Sequence, residues 1–94
     1  MLRNKFKNDL QFAMKSKDSI KVSTLRLILA AIKDRDLQSR SKGLGETIPD
    51  SIILEILAKM IKQRAEAAKV YEKAGRSELM DIENKEIDII NAFM

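Results

Sequence analysis

Hydrophobic and polar positions along the chain repeat at helical intervals almost from end to end. Leu2, Phe6, Leu10, Ala13 and Met14 are spaced by four, four, three and one, which predicts an amphipathic helix over residues 2–16. Ser16-Lys17-Asp18 interrupts it, and Asp18 suits an N-cap because its carboxylate can accept otherwise unpaired backbone N–H groups. The next stretch, Ile20–Ile32, is apolar at nine of its thirteen positions, on nearly every side of a helix. A helix apolar all round is normally enclosed by its neighbours, so this segment is expected to be the centre of the fold. It continues to about Lys42 through K-D-R-D-L-Q-S-R-S-K, a polar end expected to project beyond the core.

Gly43-Leu44-Gly45-Glu46-Thr47-Ile48-Pro49 is the one clear loop, and Asp50 is favoured over Thr47 as the cap of a third helix reaching Ala74. Ile53, Ile56, Leu57, Met60, Ala67, Tyr71 and Ala74 share one face of it; Glu55, Lys59, Lys62, Glu66, Lys69 and Lys73 share the other. Gly75 fits the C′ position and Ser77 the next N-cap, opening a fourth helix drawn to Met94 without a stop signal. The expected fold is therefore all-α: four mostly antiparallel helices in a single domain, 1–94, around a central apolar helix at about 18–42.

Composition narrows the chemistry. Ninety-four residues with no Cys and no His cannot offer thiol nucleophiles, imidazole bases, disulfides or the usual zinc sites. G-L-G lacks the third glycine of a phosphate-cradling loop and comes after a helix, not a strand. Serines are present without an accompanying base. No cofactor, metal site or catalytic residue is expected. No apolar run reaches the roughly 20 residues that cross a bilayer, and the start of the chain lacks a signal-peptide pattern while Asp9 is out of place in a transit peptide. A cytoplasmic protein is expected.

Charge is unevenly divided: residues 1–42 hold eleven Lys/Arg against four Asp/Glu, residues 43–94 seven against ten. The basic half suggests a polyanion partner, although a merely solvated surface would look the same. Of the cations on the first two helices (Arg3, Lys5, Lys7 and Lys42 among them), Lys15, Lys17, Lys21, Lys33, Arg35 and Arg40 are the candidate contacts to nucleic-acid phosphates. Phe6, Phe12 and Tyr71 are expected to pack inward. With no aromatic stacking platform left, recognition would be by shape and backbone, as structured RNA allows.

Four further charges fall on apolar faces: Arg26 on the second helix, Arg64 on the third, Glu83 and Glu86 on the fourth. A buried unpaired charge costs several kcal/mol, so these are expected to form one interhelical ion-pair network. The competing readings are a paired-carboxylate acid/base or metal site, and an arginine left free for a phosphate.

The segments A-M-K-S-K-D at 13–18, T-L-R-L-I-L-A-A-I-K-D at 24–34, K-Q-R-A-E at 62–66, Y-E-K-A-G-R-S-E-L at 71–79 and E-N-K-E-I-D-I-I at 83–90 resemble the GatB/YqeY family over essentially the whole chain. The resemblance implies an all-helical fold of which this chain is the N-terminal subdomain, family members continuing past the equivalent of Phe93 into a second, smaller bundle. It further implies kinship with the tail of the B subunit of the tRNA-dependent amidotransferase, a glutamine-dependent carbon–nitrogen ligase. That tail contacts the tRNA body, and catalysis lies in other domains. The resemblance thus implies a tRNA-binding helical module without an active site of its own, with tRNA and amidotransferase or other translation proteins as partners. The alternative is a protein-interaction or oligomerisation module, docking through an open apolar end at Phe93 and Met94.

Overall fold

In the computed structural model, which describes residues 1–43, 45 and 47–94, two helical hairpins lie against each other. Helices α1 (Leu2–Lys15) and α2 (Ser19–Ser41) form the first, α3 (Asp50–Lys73) and α4 (Ser77–Asn91) the second. The all-α, four-helix expectation holds. Contact between hairpins runs chiefly from α2 to α4, with a lighter touch on α3. The result is a slab of 47 × 30 × 19 Å. Its radius of gyration is 14.6 Å, where about 12 Å would suit a compact domain of this length. No helix among the described residues is long and apolar enough to cross a membrane. Leu44 and Glu46 of the expected loop lie outside the described residues.

Both hairpins turn through the same hydrogen-bonded motif. After α1, the amides of Lys17 and Asp18 donate to the carbonyls of Met14 and Ala13 (3.3 and 3.0 Å); after α3, those of Gly75 and Arg76 donate to Glu72 and Tyr71 (3.2 and 2.8 Å). This closure needs one left-handed residue. Gly75 supplies it at φ 71° without cost, as expected. In the first turn Lys17 supplies it at φ 58°, against the clash that a Cβ meets there. Asp18 then caps α2 as expected, accepting the Lys21 amide at 3.2 Å. The other two capping expectations shift by one residue. Pro49 and Arg76 hold the N-cap positions, so Asp50 and Ser77 are already helical.

Phe6, Leu25, Ile28, Ile53, Leu57 and Ile90 are sealed from solvent at the centre of the core. Thr24 is equally buried, its hydroxyl satisfied by donating to the Ile20 carbonyl at 2.7 Å. The α2 stretch is not enclosed on every side, however. Leu25, Ile28 and Ile32 are buried, while Ala30 is exposed and Leu27 is 47% exposed, because two hairpins leave the outer face of α2 without a covering layer. Phe12 is likewise 70% exposed, not turned inward. On α3 the buried stripe drifts, so that Ala68 is buried and Ala74 exposed. Helix α4 stops at Asn91, three residues short of the expected end. Phe93 then folds back edge-on against Phe6, ring centroids 4.7 Å apart, with the Lys5 ammonium 5.5 Å from its ring. The apolar end expected to be open is therefore closed over Phe93, leaving only Met94 exposed.

Candidate functional site

Of the four charges placed on apolar faces, the structure joins two directly. The Arg64 Nε donates to Glu86 Oε2 at 3.1 Å across the α3–α4 seam, and the same guanidinium donates to the Met60 carbonyl at 3.2 Å. Glu83, one helical turn before Glu86, is only partly exposed, and its Oε2 is enclosed without a hydrogen-bond partner among the described residues. Burial first, then the neighbouring Glu86 carboxylate, pushes the Glu83 carboxyl above its usual range; Arg64 pulls weakly the other way. One cation thus serves two carboxylates.

The second cation expected there is elsewhere. Arg26 is exposed on the outer face of α2, beside Met14, Val22 and Leu27, and belongs to neither ion pair found among the described residues. Its wheel position next to Val22 and Leu29 assumed that all sides of α2 were covered. The uncovered side is where Arg26 lies.

A tighter charged cluster escaped the sequence reading. Arg3 of α1 forks onto Asp36 of α2, donating at 2.7 and 2.8 Å to its two oxygens, and also donates to the Ile48 carbonyl at 2.9 Å. The Ile48 amide returns a bond to Asp36 Oδ1 at 2.8 Å, and the Leu2 amide donates weakly to Asp50 Oδ2 at 3.4 Å. These contacts tie α1, the far end of α2, the loop and the start of α3 into one knot. The Arg3 fork holds the Asp36 carboxyl below its usual range, and Asp36 in turn raises Arg3. Helix α2 is therefore anchored at Asp36, while Leu37, Gln38, Arg40, Ser41 and Lys42 beyond it are exposed, and Arg3 is drawn largely out of the basic surface. A signal was present: Asp36 comes four residues after Ile32 and Arg3 precedes Leu10 by seven, so both lie on core-facing stripes.

The six candidate phosphate contacts do not form one cluster. Lys15 and Lys17 are exposed at the α1–α2 turn, whereas Lys33, Arg35 and Arg40 are exposed along the other half of α2. Helix α2 is 23 residues, or roughly 35 Å, long. Lys21 is half-buried in a groove of about 350 Å³ that also holds Lys5, Asp9 and Asp88. Arg26, not among the six, lines up with Lys33 and Arg40. The three recur every seven residues, nearly two full turns, and so line one exposed stripe. Lys7 of α1 borders the same stripe, sharing a groove with Lys33. Chemically this stripe offers positive charge held by solvated side chains, suited to ion pairing with an extended anion.

A family model described as Yqey-like protein matches residues 3–94. Three relatives carry one name, Altered inheritance of mitochondria protein 41, mitochondrial. That of Eremothecium gossypii is 38% identical over 88 residues, covering 94% of this chain and 46% of its own length. The Kluyveromyces lactis protein is 32% identical, covering 93% and 45%. The Clavispora lusitaniae protein is 31% identical, covering 99% and 51%. The chain thus spans about half the length of the curated relatives it matches. Their names place those proteins in mitochondria, which overturns the cytoplasmic expectation: the absence of an apolar leader pattern does not fix the compartment.

Proposed function

Because the chain belongs to the Yqey-like family, we propose that it is a helical module that binds structured RNA, tRNA foremost, by its phosphate backbone and carries no active site of its own. One observation supports this above the rest: Arg26, Lys33 and Arg40 form an exposed cationic stripe on α2, and none of them joins an ion pair among the described residues. A regular row of solvated cations on a rigid helix contacts phosphates without reading bases. Phe12 is exposed on α1, but among the described residues no aromatic ring lines the grooves that hold Arg26 and Lys33, which favours a folded stem over a single strand. The kinship of the resembling family with the amidotransferase tail points to tRNA among structured RNAs.

The test is a titration of unmodified tRNA into the chain at rising salt. Each engaged phosphate contributes roughly −0.7 to −0.9 to the slope of log affinity against log salt, so the stripe alone supplies about −2 to −3. Absence of binding at 50 mM salt overturns the reading.

A second reading has its own observation. Met14, Val22 and Leu27 line an open, mostly apolar groove of about 750 Å³ at the α1–α2 turn, and Phe12 is exposed on α1. Such a groove suits the apolar face of a partner helix. Sedimentation of the RNA-free chain over a hundredfold concentration range separates the readings, since self-association through this groove raises the mass without RNA.

A further inference from the structure

The outer stripe accounts for only part of the positive charge on α2. Arg35 and Lys42, also seven residues apart, lie on the flank of α2 that faces α3. With Lys59 of α3 they line a groove of about 500 Å³ between the far end of α2 and the start of α3. Ser39 and Thr47 add hydroxyl groups, and Ile52 gives it an apolar wall. No carboxylate lines this groove among the described residues, and none of the three cations takes part in either ion pair found there. Arg35 and Lys59 also border an adjoining groove with Asp34 and Glu55, whose carboxylates offset part of their charge, so the excess that an anion would neutralise is greatest on the Lys42 side. Neutralising that excess is favourable, and a concave wall limits how many waters can do so.

The groove is also fixed in shape. The Arg3–Asp36–Ile48 knot bonds the far end of α2 to the residue that precedes Pro49, so the two sides cannot drift apart without breaking buried hydrogen bonds. Preformed donors lose less freedom on binding than mobile ones. Arginine and lysine with neighbouring hydroxyls match the oxygens of a phosphate, as a fork and as point charges.

We propose that this groove is a phosphate-binding site, with Arg35, Lys42 and Lys59 as its charged contacts and the hydroxyls of Ser39 and Thr47 as further donors. It deepens the RNA reading and rests on it for its principal ligand, a phosphodiester of an RNA stem; a free phosphate compound would satisfy the same chemistry. The two cation rows lie on opposite flanks of the exposed face of α2, so they engage separate phosphates and their salt dependences add.

The experiment compares the wild-type chain with two triple variants, R35A/K42A/K59A for the groove and R26A/K33A/R40A for the stripe. Each is titrated with an RNA hairpin and, separately, with inorganic pyrophosphate, monitored by backbone amide shifts. Circular dichroism checks that the helices persist. Removing the groove cations is expected to lower the salt slope by about 1, the share of the one phosphodiester they hold, and to weaken the hairpin at least roughly tenfold at 100 mM salt. Shifts at Ser39, Lys42 and Thr47 in the wild type should vanish in that variant. Hairpin binding unchanged in the groove variant but lost in the stripe variant overturns the groove and leaves the RNA reading standing. Pyrophosphate shifts in the groove without any hairpin binding retain the site, assign it to a free phosphate and overturn the RNA reading. Neither ligand perturbing the groove amides overturns the site.

Discussion

Two charged clusters hold this small fold, and they differ in one respect that decides how each behaves. At the loop-side knot, one guanidinium meets the Asp36 carboxylate as a bidentate fork and the Ile48 amide bonds the same carboxylate. Asp50 beside them accepts only a long bond from the Leu2 amide and keeps its other oxygen enclosed without a partner among the described residues. At the α3–α4 seam, one guanidinium faces two carboxylates a helical turn apart, and an oxygen of Glu83 is left without a partner. The first is a matched pair in which both groups need each other. The second is a pair with a surplus acid. Equal-looking salt bridges thus have opposite sensitivities: the knot fails when a charge is removed, whereas the seam gains when the surplus charge is.

The largest effect should come from the knot. Asp36→Ala removes the acceptor of the Arg3 fork and of the Ile48 amide, leaving that N–H enclosed without a partner and the guanidinium with only the Ile48 carbonyl. Breaking one side of such a pair costs about 3 kcal/mol, which for a chain of this size lowers Tm by roughly 15 °C. Urea denaturation at pH 7 measures it. A loss under about 1 kcal/mol would mean that water replaces Asp36 easily and that the knot does not organise the loop.

At the seam the sign reverses. Glu83→Gln should stabilise the chain at pH 7 by on the order of 0.5 kcal/mol, because it removes like-charge repulsion and the cost of keeping a buried carboxylate ionised. The pH dependence is set by the direction of each shift. Glu83 holds its proton more tightly folded than unfolded. Its contribution is therefore complete below its usual value near 4.5 and is lost as pH rises through the raised folded value. Asp36 is depressed, so its contribution is complete above its usual value near 3.8 and is lost as pH falls through the lower folded value. Unfolding curves of wild type and Glu83→Gln from pH 3 to 8 should diverge upward from about pH 4.5. Parallel curves would show that Glu83 is as well solvated in the fold as out of it.

How far the sequence carried can be judged at these same residues. Helix periods placed all four helices, and Asp18 and Gly75 marked two of the ends, because caps and left-handed turns are local chemistry. Arg64 and Glu86 were legible as well, since both are charges on apolar faces. What periodicity could not show is which faces are covered. The stripe of Leu25, Ile28 and Ile32 is buried, but Leu27 and Arg26 are exposed, and an apolar count over Ile20–Ile32 cannot distinguish them. Asp36 was half-hidden: its spacing from Ile32 puts it on the core-facing stripe, but it sits in a polar run, and the partners that hold it, Arg3 and Ile48, come from distant parts of the chain. Phe93 escaped in the same way, since its partner Phe6 is at the other end of the chain. The groove of Arg35, Lys42 and Lys59 depends on two helices meeting, and no spacing within either one predicts it.

The smallest expected effect separates covered from uncovered charge most sharply. If Arg26 neutralised the surplus acid at the seam, Arg26→Ala would cost more than about 1 kcal/mol in the wild type and much less in the Glu83→Gln background. The structure instead puts Arg26 on the solvent side of α2, among Met14, Val22 and Leu27. Substitution there should change stability by no more than about 0.5 kcal/mol. The double-mutant cycle with Glu83→Gln should close to within about 0.3 kcal/mol, as independent sites do. Salt sharpens the contrast further: screening acts strongly on exposed charges and weakly on enclosed ones, so the Arg26 effect should fade by about 0.5 M salt while that of Asp36 persists. A coupling above about 1 kcal/mol would place Arg26 within reach of Glu83 in solution. The seam would then be a matched cluster like the knot, and the difference in sign between the two would disappear.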